Sequence, residues 1–98
     1  MLSDYYGAIE DFTKAIEIDP EAAYPYCGRG NAKNDLSDYY SAIKDFNHAI
    51  EIDPNRAHPY NGRGNAKRGL SDYYGAIEDY TKAINIDPNF AEAYYRRG

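Results

Sequence analysis

The chain has 98 residues, a formal charge of −5 and a pI near 4.8, so it is one small acidic domain. Binding to nucleic-acid phosphates needs a concentrated cationic face, and a large catalytic cleft needs a longer chain; the composition argues against both. The sequence lacks an apolar run long enough to cross a membrane, and its first residues lack the basic start and apolar core of a signal peptide.

One pattern recurs along the chain with a period of 34 residues. It reads LSDYYGAIEDFTKAIEIDP from residue 2, LSDYYSAIKDFNHAIEIDP from residue 36 and LSDYYGAIEDYTKAINIDP from residue 70. The first and third copies agree at 17 of 19 positions, and residues 21–54 agree with residues 55–88 at 22 of 34. Such a period indicates a protein built from stacked copies of one structural unit.

Each LSDYY copy predicts an amphipathic helix, because alanine, isoleucine and an aromatic residue recur every three to four positions. Two of these helices should end near Ile52 and Ile86, since an Asp-Pro pair follows and the residue before a proline is pushed out of the helical region. We interpret Ser37 and Ser71 as their N-caps, each followed by an aspartate that favours the positive end of the helix.

Another helix is predicted before each of these two, over residues 22–35 and 56–69, and it is therefore the first helix of its unit. It has a proline in its first turn, where a missing N–H costs little. Both helices contain GRGNAK, a string that could cradle a phosphate. A phosphate loop, however, follows a strand and opens a helix, whereas these glycines lie inside a helix of a chain with no predicted strand. The sequence therefore does not indicate a phosphate site.

The glycines of GRGNAK have a structural explanation instead. Gly30 and Gly64 are predicted to let the paired helix, with its small Ala42 or Ala76, approach closely, at a cost of about 1 kcal/mol each relative to alanine. For Gly28 and Gly62, two explanations stay open. Either the glycine leaves room for the backbone of a ligand, or it is merely tolerated.

The period and the residues within it resemble the tetratricopeptide repeat. That family's pattern has an aromatic and a glycine four apart in the first helix, an alanine and an aromatic four apart in the second, and a closing proline. This chain has them in two complete copies: Tyr26, Gly30, Ala42, Phe46 and Pro54, then Tyr60, Gly64, Ala76, Tyr80 and Pro88. The resemblance covers essentially the whole chain.

The resemblance implies an all-α fold in which 34-residue helix-turn-helix units stack as a right-handed α-solenoid, or superhelix. Residues 1–98 would form a single domain, with the second helix of a partial repeat at 1–20 and full repeats at 21–54 and 55–88. Residues 89–98 would start a further first helix. The chain departs from the family where Arg29 and Lys33 replace a leucine and a tyrosine. Their stems should cover apolar surface while their charges reach either solvent or a repeated aspartate such as Asp45.

Positions that differ between the two first helices are spaced as one helical face, and the resemblance implies that this face lines a concave groove. Two asparagines that do repeat, Asn31 and Asn65, share that face. An amide suits the backbone of an extended peptide, although a tolerated polar residue on a wet surface explains it equally well. The candidate groove residues are Tyr24, Cys27, Asn31, Asn34, His58, Asn61, Asn65, Arg68, Tyr95 and Arg96.

The tyrosines divide in the same way between core and surface. We predict a core role for those at pattern positions and a groove position for Tyr24 and Tyr95, while Tyr40 and Tyr74 fit either place. The predicted core tyrosines are Tyr26, Tyr39, Tyr60, Tyr73 and Tyr94. The differing positions of the second helices form one polar stripe, which predicts a solvated convex face.

No catalytic, metal or cofactor site is predicted, and the chain is not expected to be an enzyme. The repeated serines are explained as caps, and His48 and His58 belong to opposite faces of different helices. Cys27, which cannot form an internal disulfide, is interpreted as a small hydrophobe and fits a cytoplasmic location.

Some tetratricopeptide domains hold the carboxylate tail of chaperones in a clamp of lysines, asparagines and an arginine. Carried onto this chain, the clamp matches at Asn31 and Arg96 and departs at Cys27, Gly62 and Glu92. A glutamate in place of a lysine would repel an anionic tail, so the sequence does not support chaperone-tail binding.

The sequence thus predicts a protein–protein interaction module that binds a protein or peptide segment in its concave groove. The alternative is a structural spacer or a self-assembling solenoid module without a peptide ligand. The chain starts with a second helix and ends within a first helix, and these two halves are complementary. The sequence therefore also predicts head-to-tail self-association, unless the last residues fray and leave a monomer.

Overall fold

The computed structural model describes residues 2–89, with side chains from residue 4 onward. It contains five helices: α1 (Leu2–Ile18), α2 (Ala23–Asp35), α3 (Tyr39–Ile52), α4 (Ala57–Gly69) and α5 (Tyr73–Ile86). Each helix packs on the next, and α2 also contacts α4, so the first helices of successive units line one side of the stack. No strand occurs between residues 2 and 89, and the predicted all-α repeat solenoid is confirmed. The predicted further helix after residue 89 lies outside the described residues.

The ends of the second helices are where the sequence places them. Both α3 and α5 stop at the isoleucine that precedes Asp-Pro. Asp53, the residue before Pro54, is extended at φ −143° and ψ 92°, and its N–H still donates to the carbonyl of Ala49 at 3.0 Å. The proline therefore ends the helix through the conformation of its neighbour, as predicted.

The prediction that Ser37 and Ser71 are N-caps is wrong. Their φ values are 62° and 65°, in the left-handed region, and their backbones close the preceding helix. At the end of α2 the N–H of Ser37 donates to Asn34 O at 2.9 Å and the N–H of Asp38 donates to Lys33 O at 2.8 Å, the pair of bonds of a Schellman motif. Asp38 and its copy Asp72 occupy the N-cap positions instead.

The N-cap lies one residue later than predicted because the end of one helix and the start of the next share three residues, Leu36, Ser37 and Asp38. Ser71 terminates α4, and the next residue, Asp72, is the N-cap of α5. Its side chain makes the capping hydrogen bond: Asp72 Oδ1 accepts from the N–H of Gly75 at 3.0 Å. A serine before an apolar periodic stretch looks like a cap in sequence, but the left-handed turn leaves that function to the aspartate.

The core is made of the repeated alanine and aromatic positions. Phe46 and Tyr80 are 0% and 1% exposed, and the alanines four residues before them are equally buried. Gly30 faces the ring of Phe46 rather than Ala42: a Cβ on Gly30 would lie 2.9 Å from that ring. The close approach was predicted, but its partner is the aromatic ring.

The remaining glycines of GRGNAK face the aromatic ring of the preceding unit. A Cβ on Gly28 would overlap the ring of Phe12, and one on Gly62 would overlap the ring of Phe46. These glycines are packed against aromatic rings, a role that neither of the two explanations offered by the sequence included. Phe46 lies between Gly30 of its own unit and Gly62 of the next.

Ion pairs replace the leucine and tyrosine of the family pattern. Asp45 is 2% exposed, and Arg29 donates to its two carboxylate oxygens at 2.8 and 2.9 Å while Lys33 lies 2.9 Å away. Asp79, also 2% exposed, accepts the same two hydrogen bonds from Arg63, and Lys67 Nζ lies 3.0 Å from its Oδ2. Of the two destinations that the sequence left open for these charges, the buried aspartate is the one observed.

One predicted core tyrosine is at the surface. Tyr60 is buried and Tyr39 is half-buried, with its ring against Gly69 of α4, whereas Tyr73 is 59% exposed. The ring of Tyr39 is covered by Gly69, which lies in the first helix of the next unit. Tyr40 and Tyr74 are exposed, and Tyr94 lies outside the described residues.

Candidate functional site

A polar cavity of about 630 Å³ lies on the face shared by α2 and α4. Six of the ten candidate residues line it: Asn31, Asn34, His58, Asn61, Asn65 and Arg68. We call this cavity the amide groove. The structure brings these side chains together because equivalent faces of two first helices stand side by side. Three lining residues were not among the candidates, namely Asp35, Tyr39 and Gly69.

Two of the missed residues carried a usable signal. Asp35 and Gly69 occupy the same position in the two units and differ, as the groove candidates do. Tyr39 had no such signal, because it repeats and belongs to a second helix. Only the stacking of α3 beside α4 places its ring at the edge of the groove.

Two amides of the groove each have a buried oxygen without a donor among the described residues. Asn34 Nδ2 donates to the carbonyl of Gly62 at 3.0 Å, which ties α2 to α4. Asn61 is 5% exposed, and the Oδ1 atoms of Asn34 and Asn61 are buried without a hydrogen-bond partner among the described residues. A buried acceptor left unpaired costs about 1–3 kcal/mol, so an N–H group delivered to this place would be stabilised.

The two repeated asparagines are not equivalent. Asn65 Oδ1 accepts a hydrogen bond from the hydroxyl of Tyr80 at 2.6 Å, which orients its amide. One unit earlier, the position of Tyr80 is occupied by Phe46, which has no hydroxyl, and Asn31 is exposed. The single change from phenylalanine to tyrosine in the core therefore alters how a groove amide is held.

A second, smaller cavity of about 250 Å³ adjoins the first, at the N-terminal ends of α2 and α4. We call it the apolar pocket, after its residues Ala23, Tyr24, Cys27, Gly28 and Pro59, which lie with Asn31, Arg56 and His58. It contains the candidates Tyr24 and Cys27. Tyr24 is 74% exposed, and its ring meets the ring of Phe12 edge-on at 6.1 Å. The two remaining candidates, Tyr95 and Arg96, lie outside the described residues.

Charges around the two cavities are few and nearly balanced. Arg68 and Asp35 line the amide groove, and Arg56 lies at the apolar pocket, where Asp53 pairs with it at 3.0 Å. Burial raises the pKa of the Cys27 thiol to about 11, and nearby Arg56 opposes this shift only in part. The thiol is therefore neutral at pH 7. Despite the acidic chain, the site offers amides and apolar surface rather than net charge.

Comparison with known families decides what these repeats are. Models described as TPR repeat or tetratricopeptide repeat match residues 2–21, 23–56 and 65–98. The chain belongs to the tetratricopeptide repeat family. Its repeats show the family's alanine and aromatic core, with the Arg–Asp–Lys ion pairs in place of two usual core residues. No curated protein sequence matches the chain at a significant level.

Solved tetratricopeptide domains share the fold over almost the whole chain. The Arabidopsis OM64 TPR domain is 27% identical with a TM-score of 0.93, covering 97% of this chain and 78% of that one. The second TPR domain of human RPAP3, solved with the HSP70 peptide SGPTIEEVD, is 26% identical with a TM-score of 0.90, covering 97% and 79%. The TPR2B domain of yeast Sti1, in a pHsp70 complex, is 30% identical with a TM-score of 0.87, covering 97% and 83%.

The tetratricopeptide helices described here are amphipathic or polar, in keeping with a repeat stack. Within residues 2–89, none combines the length and the apolar character needed to cross a membrane.

Proposed function

We propose that this tetratricopeptide chain is a binding module that holds an extended peptide segment in the amide groove. The observation that carries the proposal is the convergence of four asparagines on one cavity of about 630 Å³. An amide offers two donors and an acceptor, which is what the alternating N–H and C=O groups of an extended backbone require. The asparagines are Asn31, Asn34, Asn61 and Asn65.

Related domains support this proposal. The human RPAP3 domain was solved with an HSP70 peptide and the yeast Sti1 domain in a pHsp70 complex, and each covers 97% of this chain. The module as proposed is non-catalytic and needs no cofactor or metal ion. We place it in the cytoplasm, with full repeats at residues 21–54 and 55–88 in a right-handed superhelix.

The ligand we propose is an internal extended segment rather than a chaperone tail. Of the clamp positions within the described residues, Cys27 and Gly62 lack the cation and the amide that grip a terminal carboxylate. Gly62 has no room for an amide, because even a Cβ there would overlap Phe46. The groove charges Arg68 and Asp35 balance each other, so recognition rests on backbone hydrogen bonds.

A peptide-display screen on the 98-residue chain tests the proposal. We expect reproducible enrichment of one sequence motif, and absence of enrichment with the folded protein would favour the structural spacer. The selected peptide is then titrated against Asn31→Ala, which should weaken binding about tenfold because one peptide hydrogen bond is lost.

Asn31 is the better choice for this test than Asn65, whose amide also serves the core hydroxyl of Tyr80. Asn85→Ala is the matched control, since Asn85 is an exposed asparagine on α5 away from the groove. Equal affinities for Asn31→Ala and Asn85→Ala would remove the amide groove from the binding site.

A second candidate function, self-association, is supported by α1. Asp11 and Phe12 stand one period before Asp45 and Phe46, yet Asp11 is exposed and Phe12 only half-buried. The helix that covers Phe46 and Asp45 supplies an arginine and a glycine, and the same pair recurs as Arg97 and Gly98. We propose that the last helix of one copy packs on α1 of the next, although residues 90–98 lie outside the described part.

A further inference from the structure

We propose that the apolar pocket holds one large apolar side chain of the bound peptide, and that an acidic residue beside it faces Arg56. This inference rests on the proposed peptide-binding function and adds to it the chemistry of one ligand position. It predicts a motif consisting of leucine, isoleucine, methionine or phenylalanine next to aspartate or glutamate.

The size and the lining of the pocket select the side chain. A dry cavity of about 150 Å³ lined by aliphatic groups is large enough to take benzene. The apolar pocket measures about 250 Å³ and is open to solvent, so a leucine or a phenylalanine side chain fits. Tyr24 from α2 and Pro59 from α4 line it, together with Ala23, Cys27 and Gly28 of α2.

The chemistry of Cys27 keeps the pocket apolar. Desolvation raises the pKa of this thiol to about 11, so it enters the pocket as a neutral, polarisable group at physiological pH. One unit later the same position is Asn61, which lines the amide groove. The exchange of cysteine for asparagine thus marks where the concave face changes from apolar to hydrogen-bonding.

The two cavities share lining residues, so one peptide can reach both. Asn31 and His58 line the amide groove and the apolar pocket alike. An extended chain that hydrogen-bonds along the asparagines therefore passes the mouth of the pocket. Since alternate side chains of an extended segment point the same way, one of them enters the pocket.

Arg56 gives the neighbouring ligand position its charge. Its Nε donates to Asp53 Oδ2 at 3.0 Å, and the side chain is 65% exposed. An arginine has five N–H donors, so the two terminal amino groups remain available to a carboxylate at the mouth of the pocket. Asp53 balances part of the charge, and we expect the acidic residue to contribute less than the apolar one.

The test is an NMR titration of the ¹⁵N-labelled 98-residue chain with acetylated, amidated heptapeptides. The first is Ser-Gly-Leu-Asp-Gly-Ser-Gly, the second has alanine for leucine, and the third has asparagine for aspartate. We expect all three to shift the side-chain amides of Asn31 and Asn65. The leucine peptide should bind about tenfold more tightly than the alanine peptide, and it should shift the backbone amide of Gly28.

Two variants locate the effect. Cys27→Asn copies the residue that the next unit carries at this position, so the helix should accept it, and the preference for leucine over alanine should disappear. Arg56→Gln should abolish the difference between the aspartate and asparagine peptides, which we expect to be about threefold in the parent. Melting curves confirm that both variants are folded.

The outcomes separate this inference from the function on which it rests. Equal binding of the leucine and alanine peptides, with the asparagine amides shifted by both, overturns the apolar pocket and leaves the peptide groove intact. If no peptide shifts the amides at millimolar concentration, the proposed groove fails, and the pocket fails with it. The comparison of peptides on the parent protein does not depend on either variant.

Discussion

At the scale of single residues, the feature that is energetically most costly to bury is an aspartate in each full repeat, Asp45 and Asp79. Burying an aspartate costs several kcal/mol unless charged donors surround it, and both aspartates meet this condition. Asp45 receives two bonds from Arg29 and a third contact from Lys33. The same hydrogen bonds to Asp45 raise the pKa of Arg29 above its usual value, which keeps the arginine charged although it is partly buried.

Removal of the buried aspartate should therefore lower the stability of the fold strongly. We expect Asp45→Ala to lower the free energy of unfolding by about 3–5 kcal/mol, because Arg29 and Lys33 would be left partly buried without a counter-charge. Asp53→Ala is the control, since Asp53 pairs with Arg56 at the surface and its removal should lower the free energy of unfolding far less. Urea denaturation followed by circular dichroism measures both, and similar losses would show that burial adds nothing to the first pair.

At the scale of helices, glycines and aromatic rings form a repeated contact. Each first helix presents two glycines, one toward the ring of its own unit and one toward the ring of the unit before. Phe46 is fully buried because Gly30 and Gly62 face it from two helices. A glycine lowers helix propensity, and in return the backbones of three helices come close to one ring.

Alanine substitution separates this contact from propensity. We expect Gly62→Ala to lower the free energy of unfolding by about 1–3 kcal/mol, since the added methyl group would displace the ring of Phe46. Gly7→Ala on α1 is the matched control: nothing lies within 4 Å of its added methyl group. That variant should gain up to about 1 kcal/mol from helix propensity. Thermal melts showing a gain for Gly62→Ala would contradict the packing.

The turn between α4 and α5 offers a second test at this scale. Ser71 is left-handed at φ 65°, a conformation that costs a non-glycine residue about 1–2 kcal/mol. We expect Ser71→Gly to raise the free energy of unfolding by about 0.5–1 kcal/mol after the entropy of glycine is included. Asp72→Ala should lower it by about 1 kcal/mol through loss of the cap. If Ser71→Gly instead lowered the free energy of unfolding by about 1 kcal/mol, the serine would be the N-cap after all.

At the scale of the whole molecule, the units are joined by bonds that cross from one repeat to the next. The third donor group of Arg29 reaches Thr13 in α1 at 3.1 Å, and that of Arg63 reaches Asn47 in α3 at 2.8 Å. An arginine thus holds its own aspartate and the preceding second helix together. The proposed binding groove depends on this stacking, because its asparagines come from two units.

The same stacking motif suggests how copies would associate. We expect the chain to show a mass that increases with concentration in static light scattering, because a second copy would cover the exposed Asp11 and the half-buried Phe12 of α1. Asp11→Asn should shift the chain toward the monomer. Glu17→Gln on the same helix changes the charge equally at an exposed position and should have no effect. A constant monomer mass over the whole range would overturn the head-to-tail arrangement.

Much of the fold follows from local physical chemistry. The helical period, the apolar spacing and the Asp-Pro stops act within a few residues, and they correctly predicted the five helices of residues 2–89, with two ends at Ile52 and Ile86. Differences between the copies selected six candidates that line the two cavities, and the shared helical face added Asn31 and Asn65. Binding at those residues remains a prediction.

Tertiary structure decided what each helix face meets. The choice between solvent and Asp45 for the charge of Arg29 depends on a contact 16 residues away, and the ring beside Gly62 belongs to the preceding unit. Neither partner can be derived from dihedral preferences, because those act only on near neighbours. The sequence by itself determined the helices and their repetition. How two repeats stack determined the buried ion pairs, the glycine contacts and the shapes of the cavities, since each requires surfaces from more than one helix.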